Sequence, residues 1–277
     1  MIVGHENLIK HFKNLAERNA LSHGYLFFGE PRVGKATIAA ALANFLENGR
    51  FEKPDGLLAD FLSVSPDENG AIGIDAARAI KEFLWRRPVK SGKRFVAISD
   101  AQAMTPQAQN ALLKIAEEPP ASALIVAVSP NAELLAPTLV SRFQKFHLSR
   151  VSDAQVAELA KSFGCDAKTA AQTAKKAAGR PGLAADFIQN GSFWLEAESL
   201  AKDFLKNAAR RTFIASRLAE DEKLLDRFAE ILLIYLRQNP IANLELTRSF
   251  LKRFSLIKQF NVNKRLQLEA AAAGDGR

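Results

Sequence analysis

At 277 residues, with 48% apolar and 25% charged side chains, the chain has material for two or three domains and a sizeable buried core. The formal net charge of +8 suits contact with a nucleic-acid backbone, and suits a merely basic soluble protein equally well. A lone cysteine, Cys165, excludes an internal disulfide framework and a Cys-rich zinc site; His5, His11, His23 and His147 lack metal-ligand spacing, and no apolar run approaches a membrane span.

In chain order, residues 5–19 set Leu8, Ile9, Phe12 and Leu15 on one helical face. Residues 25–28 read as a strand, Gly29-Glu-Pro-Arg-Val-Gly-Lys35 as a glycine-rich turn, and 35–47 as a helix. That order is the phosphate-cradling loop G-x-x-x-x-G-K-[ST], in which glycines let backbone N–H groups and the helix N-terminus point at an anion. Gly29, Gly34 and Lys35 match. Ala36 stands where a hydroxyl would hold Mg²⁺, and Thr37 comes one step late.

Residues 49–58, with Gly49, Pro54 and Gly56, read as a loop, and 61–65 as a second strand ended by Pro66. Asp75 is a candidate cap for a helix through Ile80, Phe83 and Leu84 that Pro88 stops. The apolar run at 94–99 is expected of a strand buried on both faces. Thr105-Pro106 begins a helix with a cap and a first-turn proline, and Pro119-Pro120 ends it. Strands at 123–128 and 145–148 complete an alternation that predicts a parallel α/β sheet. Beyond Val151 the strand pattern ceases. Helices are expected at 153–163, 167–178, 182–189, 194–206, 211–219, 223–238, 243–258 and 262–272, punctuated by Gly179-Arg-Pro-Gly182 and Asn190-Gly191. The chain therefore reads as α/β plus all-α: an α/β domain over 1–150, a small helical domain over 151–190 and a helical domain over 191–277.

The block from Ser99 to Pro120, containing Asn110-Ala-Leu-Leu-Lys-Ile-Ala-Glu-Glu-Pro-Pro120, together with Leu139-Val-Ser-Arg-Phe143, resembles the bacterial clamp-loader ATPases of the AAA+ superfamily. Those carry N-A-L-L-K-x-x-E-E-P-P followed by an S-R-C motif. His23 ahead of the P-loop strand and Asn261-Val-Asn-Lys-Arg-Leu266 extend the resemblance over essentially the whole chain. It implies a P-loop AAA+ domain at 1–150, a helical lid at 151–190, and a collar at 191–277 that joins subunits. Cytoplasmic location is expected, since the first residues lack a signal-peptide pattern.

The site residues then divide. An active member needs a hydroxyl after the P-loop lysine and an Asp-Glu pair ending the third strand. Here the first is Ala36, and family spacing puts Ser99 and Asp100 at the pair, or Asp100 and Ala101 if shifted by one. Either way one carboxylate is missing. The second-sensor arginine falls on Gly182, with Arg180 on another register. Phosphoryl transfer needs metal, water-orienting carboxylate and charge-neutralising groups together. The resemblance is thus to the delta-prime class of subunit, part of a polymerase holoenzyme with little or no turnover of its own. It implies a degenerate nucleotide site (Gly29, Gly34, Lys35, Thr37, Asp100), ATP and Mg²⁺ held weakly at best, and no zinc. Arg142 would be an arginine finger supplied in trans to a neighbour's ATP site. Partners implied are gamma/tau and delta subunits, the sliding clamp, and primer-template DNA through the assembled complex, with no membrane. The alternative is an active gamma/tau-like ATPase using Thr37 and Asp100.

Other features have plainer readings. Glu117-Glu118 at a helix end before two prolines is a positioning or solvated pair sooner than an acid and base. Arg86, Arg87, Lys90, Lys93 and Arg94 form a charge run that can meet phosphate or simply be solvated. Cys165 is a small residue between helices.

Overall fold

The computed structural model describes residues 2–241, 243–260 and 262–273. The chain forms two compact units, Met1–Ala185 and Asp186–Arg277. In the first, α1 (Glu6–Glu17) precedes β1 (Gly24–Phe28), α2 (Lys35–Asn48), β2 (Phe61–Val64), α3 (Ile74–Trp85) and β3 (Arg94–Ile98). There follow α4 (Pro106–Glu117), β4 (Ala123–Ser129), the short α5 (Pro137–Val140) and β5 (Gln144–His147). All five strands are parallel, in the order β2-β3-β4-β1-β5.

The continuous apolar runs are explained by burial on both faces, and the period of two sorts their side chains. Tyr25, Phe27, Phe95, Ala97, Leu124 and Val126 pack with Phe12 of α1 and Ile38 and Leu42 of α2. Leu26, Val96, Ile98, Ile125 and Ala127 pack instead with Ile80 and Leu84 of α3 and Leu112 and Ile115 of α4. Phe12 is fully buried, edge-on to Tyr25 at 5.0 Å and to Phe27 at 5.4 Å. Such aromatic pairs add about 0.5–1.5 kcal/mol each beyond their burial, which pins α1 to the sheet.

Local capping follows the sequence at α4, where the Thr105 hydroxyl accepts the Ala108 N–H at 3.2 Å and Pro106 occupies the first turn. At α3 it does not. The N-cap is Gly73, and Asp75 lies inside the first turn, accepting from Arg78. The chain is committed to turn earlier because Ile72 exchanges backbone hydrogen bonds with Ala103 and Thr105.

The basic run 86–94 is not a uniformly solvated face. Arg94 is buried and pairs with buried Asp60 at 3.1 Å. The Asp60 carboxylate accepts the backbone N–H groups of Val89, Lys90 and Ser91, each at 2.7 Å, so the loop is wound around an internal anion. Lys90 pairs with Glu47 and Lys93 donates to the Ala121 carbonyl. Arg86 and Arg87 remain exposed.

After β5 come α6 (Asp153–Ser162), α7 (Ala167–Ala177) and α8 (Pro181–Gln189). A reciprocal Ser152–Gln155 capping box starts α6. The second unit contains α9 (Gly191–Lys206), α10 (Arg211–Glu220), α11 (Glu222–Leu236), α12 (Leu244–Gln259) and α13 (Lys264–Ala273). Its core is built on Phe204, Phe228 and Phe250, with ring centroids 5.5 and 6.2 Å apart along the row. Of the Asn261–Leu266 segment, Asn261 lies outside the described residues. Among the described residues no helix is long and apolar enough to cross a membrane.

Candidate functional site

Strand order fixes where a ligand crevice can open. β1 lies between β4 and β5; its crossover through α2 leads away to β2, whereas the crossover from β4 through α5 leads to β5. Connections that diverge from adjacent parallel strands leave a cleft outside their carboxyl ends. The glycine-rich turn sits there, in a cavity of about 300 Å³ lined by residues including Gly34, Lys35, Thr37, Ser99, Asp100 and Gly182. Gly29 has φ +141°, and a Cβ there would stand 2.2 Å from the Leu148 carbonyl oxygen. Only glycine lets the chain leave β1 beside that backbone.

Lys35 is buried, and its Nζ donates to the carbonyls of Gly29 and Glu30, each at 2.6 Å. The ammonium is thus folded back on its own loop. Burial pushes its pKa down, while Asp100 and Glu30 pull it upward and only partly offset this. Thr37 and Asp100 do line the same cleft as Lys35. Asp100 has φ +51° at the turn after β3, is exposed, and accepts from Gln102 at 3.2 Å. Ser99 continues the β3 ladder by donating its N–H to Val64.

This donor set fits an anion; toward a metal it offers the Thr37 hydroxyl and the Asp100 carboxylate, and nothing from Ala36. Backbone N–H groups at the start of α2 and the lysine can meet phosphate. The methyl of Ala36 offers a metal no oxygen, and of Ser99, Asp100 and Ala101 at the end of β3 only Asp100 carries a carboxylate.

Three contributors at the cleft were not singled out from the sequence. His5 Nε2 lies 3.2 Å from the Val33 carbonyl, tying the start of α1 to the loop. Pro130, just past β4, lines the cleft, and its carbonyl accepts the Gly29 N–H at 3.2 Å. Arg32, with φ +66°, accepts the Gly182 N–H on its carbonyl at 2.8 Å. Position 182 thereby seals α8 onto the loop through its backbone; a Cβ there would meet the Arg32 oxygen at 2.9 Å. The first two signals emerge only once strand order is known, because both residues are ordinary in sequence.

Arg142 is not part of this cleft. It lies two residues before the start of β5, whose Gln144 registers with Tyr25 near the start of β1. The glycine-rich turn leaves the other end of β1 at Gly29, four residues beyond Tyr25, or about 13 Å at ~3.3 Å per residue. Arg142 therefore lies toward the amino ends of the strands, the end opposite its own P-loop. It is half-exposed and pairs with Glu117 at 3.3 Å. The next residue, Phe143, is buried against Gly24, where a Cβ would stand 2.2 Å from the ring. Sequence spacing alone could not separate the arginine from the cleft in this way.

An all-parallel sheet in this order, a glycine-rich loop at its switch point and helices folded over that loop define a P-loop α/β module. The chain belongs to the family described as DNA polymerase III, delta subunit, whose model matches residues 4–152. It is 29% identical over 154 residues to the DNA polymerase III subunit gamma/tau of Mycobacterium tuberculosis, across 51% of this chain and 27% of that one. The chain thus spans about a quarter of the length of that curated relative. A DNA polymerase III gamma subunit-related protein of Thermotoga maritima shares the fold at TM-score 0.63 and 24% identity, covering 95% of this chain and 97% of the other. The RuvB Holliday junction branch migration motor of the same organism follows at 0.56 and 17%, over 85% and 88%.

Proposed function

We propose that this chain is a delta-prime-like subunit of the DNA polymerase III clamp loader, one that does not itself hydrolyse ATP efficiently. Its task is to supply Arg142 in trans to a neighbouring subunit's ATP site while the sliding clamp is loaded onto primed DNA. The observation that carries this reading is the separation of Arg142 from its own P-loop by roughly the length of strand β1. An arginine so disposed is out of reach of its own P-loop and open to a site on another molecule, and a guanidinium suits the charge developing on a transferring phosphoryl group. The P-loop points the same way, since Lys35 is satisfied by main-chain carbonyls and Ala36 gives no metal ligand. Residues 151–190 act as the lid over the cleft and 191–277 as the collar. Gamma/tau and delta subunits, the sliding clamp and primer-template DNA are the partners, and the setting is cytoplasmic.

The test is a complex reconstituted with gamma/tau and delta. Arg142→Ala leaves assembly intact and lowers ATP hydrolysis; unchanged hydrolysis would overturn the proposal.

One observation favours a second reading, an active gamma/tau-like ATPase: Thr37 and Asp100 share the cleft with Lys35. ATP turnover by the purified chain that is lost on Lys35→Ala would establish it.

A further inference from the structure

We infer that Ser141 and Glu117 are positioning residues for Arg142, holding its guanidinium in a set direction before a neighbour's triphosphate takes it up. The inference rests on the trans reading of Arg142. The Ser141 hydroxyl donates to the Thr138 carbonyl at 2.8 Å. With its one proton committed inside α5, it can offer Arg142 only lone pairs, and Arg142 Nη1 donates to it at 3.2 Å. Nη2 donates to Glu117 Oε1 at 3.3 Å. Two contacts through different nitrogens of one rigid plane restrict both its swing and its twist.

Each anchor is itself fixed. Glu117 closes α4, and its neighbour Ala116 and the preceding Ile115 are buried in the core. On the other side Phe143 is buried against Gly24, so the backbone at Arg142 is held from both directions. A guanidinium has five N–H donors, and these contacts use one on each Nη, leaving the remainder for a phosphate. An arginine that is already held loses less rotamer freedom on binding than a free one.

Magnitude decides between a guide and a trap. Both side chains of the Arg142–Glu117 pair are nearly half-exposed, at 46% and 45%, and exposed ion pairs are weak. A triphosphate in a drier interface outcompetes that carboxylate, so Glu117 orients Arg142 without withholding it.

The experiment is single-turnover ATP hydrolysis by the complex reconstituted with gamma/tau, delta, sliding clamp and primed DNA. It compares wild type with Glu117→Gln, Ser141→Ala, Arg142→Ala and the Glu117→Gln/Arg142→Ala double variant. Glu117→Gln and Ser141→Ala should each slow the chemical step by about three- to fivefold, the scale of an exposed pair, with ATP affinity unchanged. Arg142→Ala should slow it far more, and Glu117→Gln should add nothing in that background. Unaltered thermal unfolding of the free variants verifies that they fold. If Glu117→Gln matches wild type while Arg142→Ala is slow, the positioning role falls and the trans role stands. The same holds if Glu117→Gln slows the Arg142→Ala complex by its full factor. If Arg142→Ala hydrolyses at the wild-type rate, the trans role falls and takes this inference with it.

Discussion

Asp60→Asn probes the element on which the basic loop is built. The carboxylate is 2% exposed and takes three backbone N–H donors at 2.7 Å as well as the Arg94 guanidinium at 3.1 Å. An asparagine presents one acceptor oxygen to these four donors and turns an NH₂ toward the rest. It also leaves Arg94, itself 8% exposed, as an uncompensated buried charge. Breaking a buried pair from one side costs about 3–5 kcal/mol. At ~2–4 °C per kcal/mol, the melting transition of the first unit should fall by on the order of 10 °C. Thermal and urea unfolding measure this, and a loss under about 1 kcal/mol would refute the reasoning. The pH dependence gives a second readout. Burial alone would raise the Asp60 pKa, but the N–H groups of Ser91, Val89 and Lys90, with Arg94, outweigh it and hold the carboxyl below its ordinary value. The stabilisation is therefore complete above an unfolded pKa of about 3.9 and drains away as pH falls through the lower folded value. That acid limb should be shallower in the Asn variant.

Gly24→Ala drives a methyl to within 2.2 Å of the Phe143 ring. Overpacking of this kind costs about 1–3 kcal/mol, and displacement of Phe143 should also weaken the effect of Arg142 on a neighbour. Equilibrium unfolding checks the first and ATP hydrolysis by the reconstituted complex the second; a variant as stable as wild type counts against the tight contact. Ala36→Ser returns an oxygen to the metal position of the P-loop. It should produce a Mg²⁺-dependent gain in ATP affinity by calorimetry without turnover by the free chain, because Asp100 is still the only carboxylate among Ser99, Asp100 and Ala101. No Mg²⁺-dependent gain would mean that Ala36 does not mark that position.

Much of the fold is legible in local pattern. The runs at 94–98 and 123–129 are apolar because both sheet faces are covered, and Thr105-Pro106 caps α4 as its chemistry directs. What escapes is what depends on residues far apart in sequence. Arg94 reads as one more surface charge until β2 brings Asp60 beside it. Asp75 loses the cap position to Gly73 because the turn after β3 holds Ile72. The α5 turn is a single helical turn, too short to show periodicity. At the site, the missing hydroxyl at Ala36 is plain in the sequence. The retreat of Lys35 onto Gly29 and Glu30, the seal of Gly182 on Arg32, and the Arg142 position at the far end of β1 from the P-loop all required the folded geometry.

The central claim is that the chemistry served by this chain occurs on a neighbouring subunit, through Arg142. Single-turnover cleavage of ATP bound to the adjacent subunit, measured with wild-type and Arg142→Ala chains in the same assembled complex, tests it most directly. Loss of an arginine finger predicts a fall on the order of 10³-fold in cleavage with nucleotide still bound. Cleavage at the wild-type rate would contradict the account.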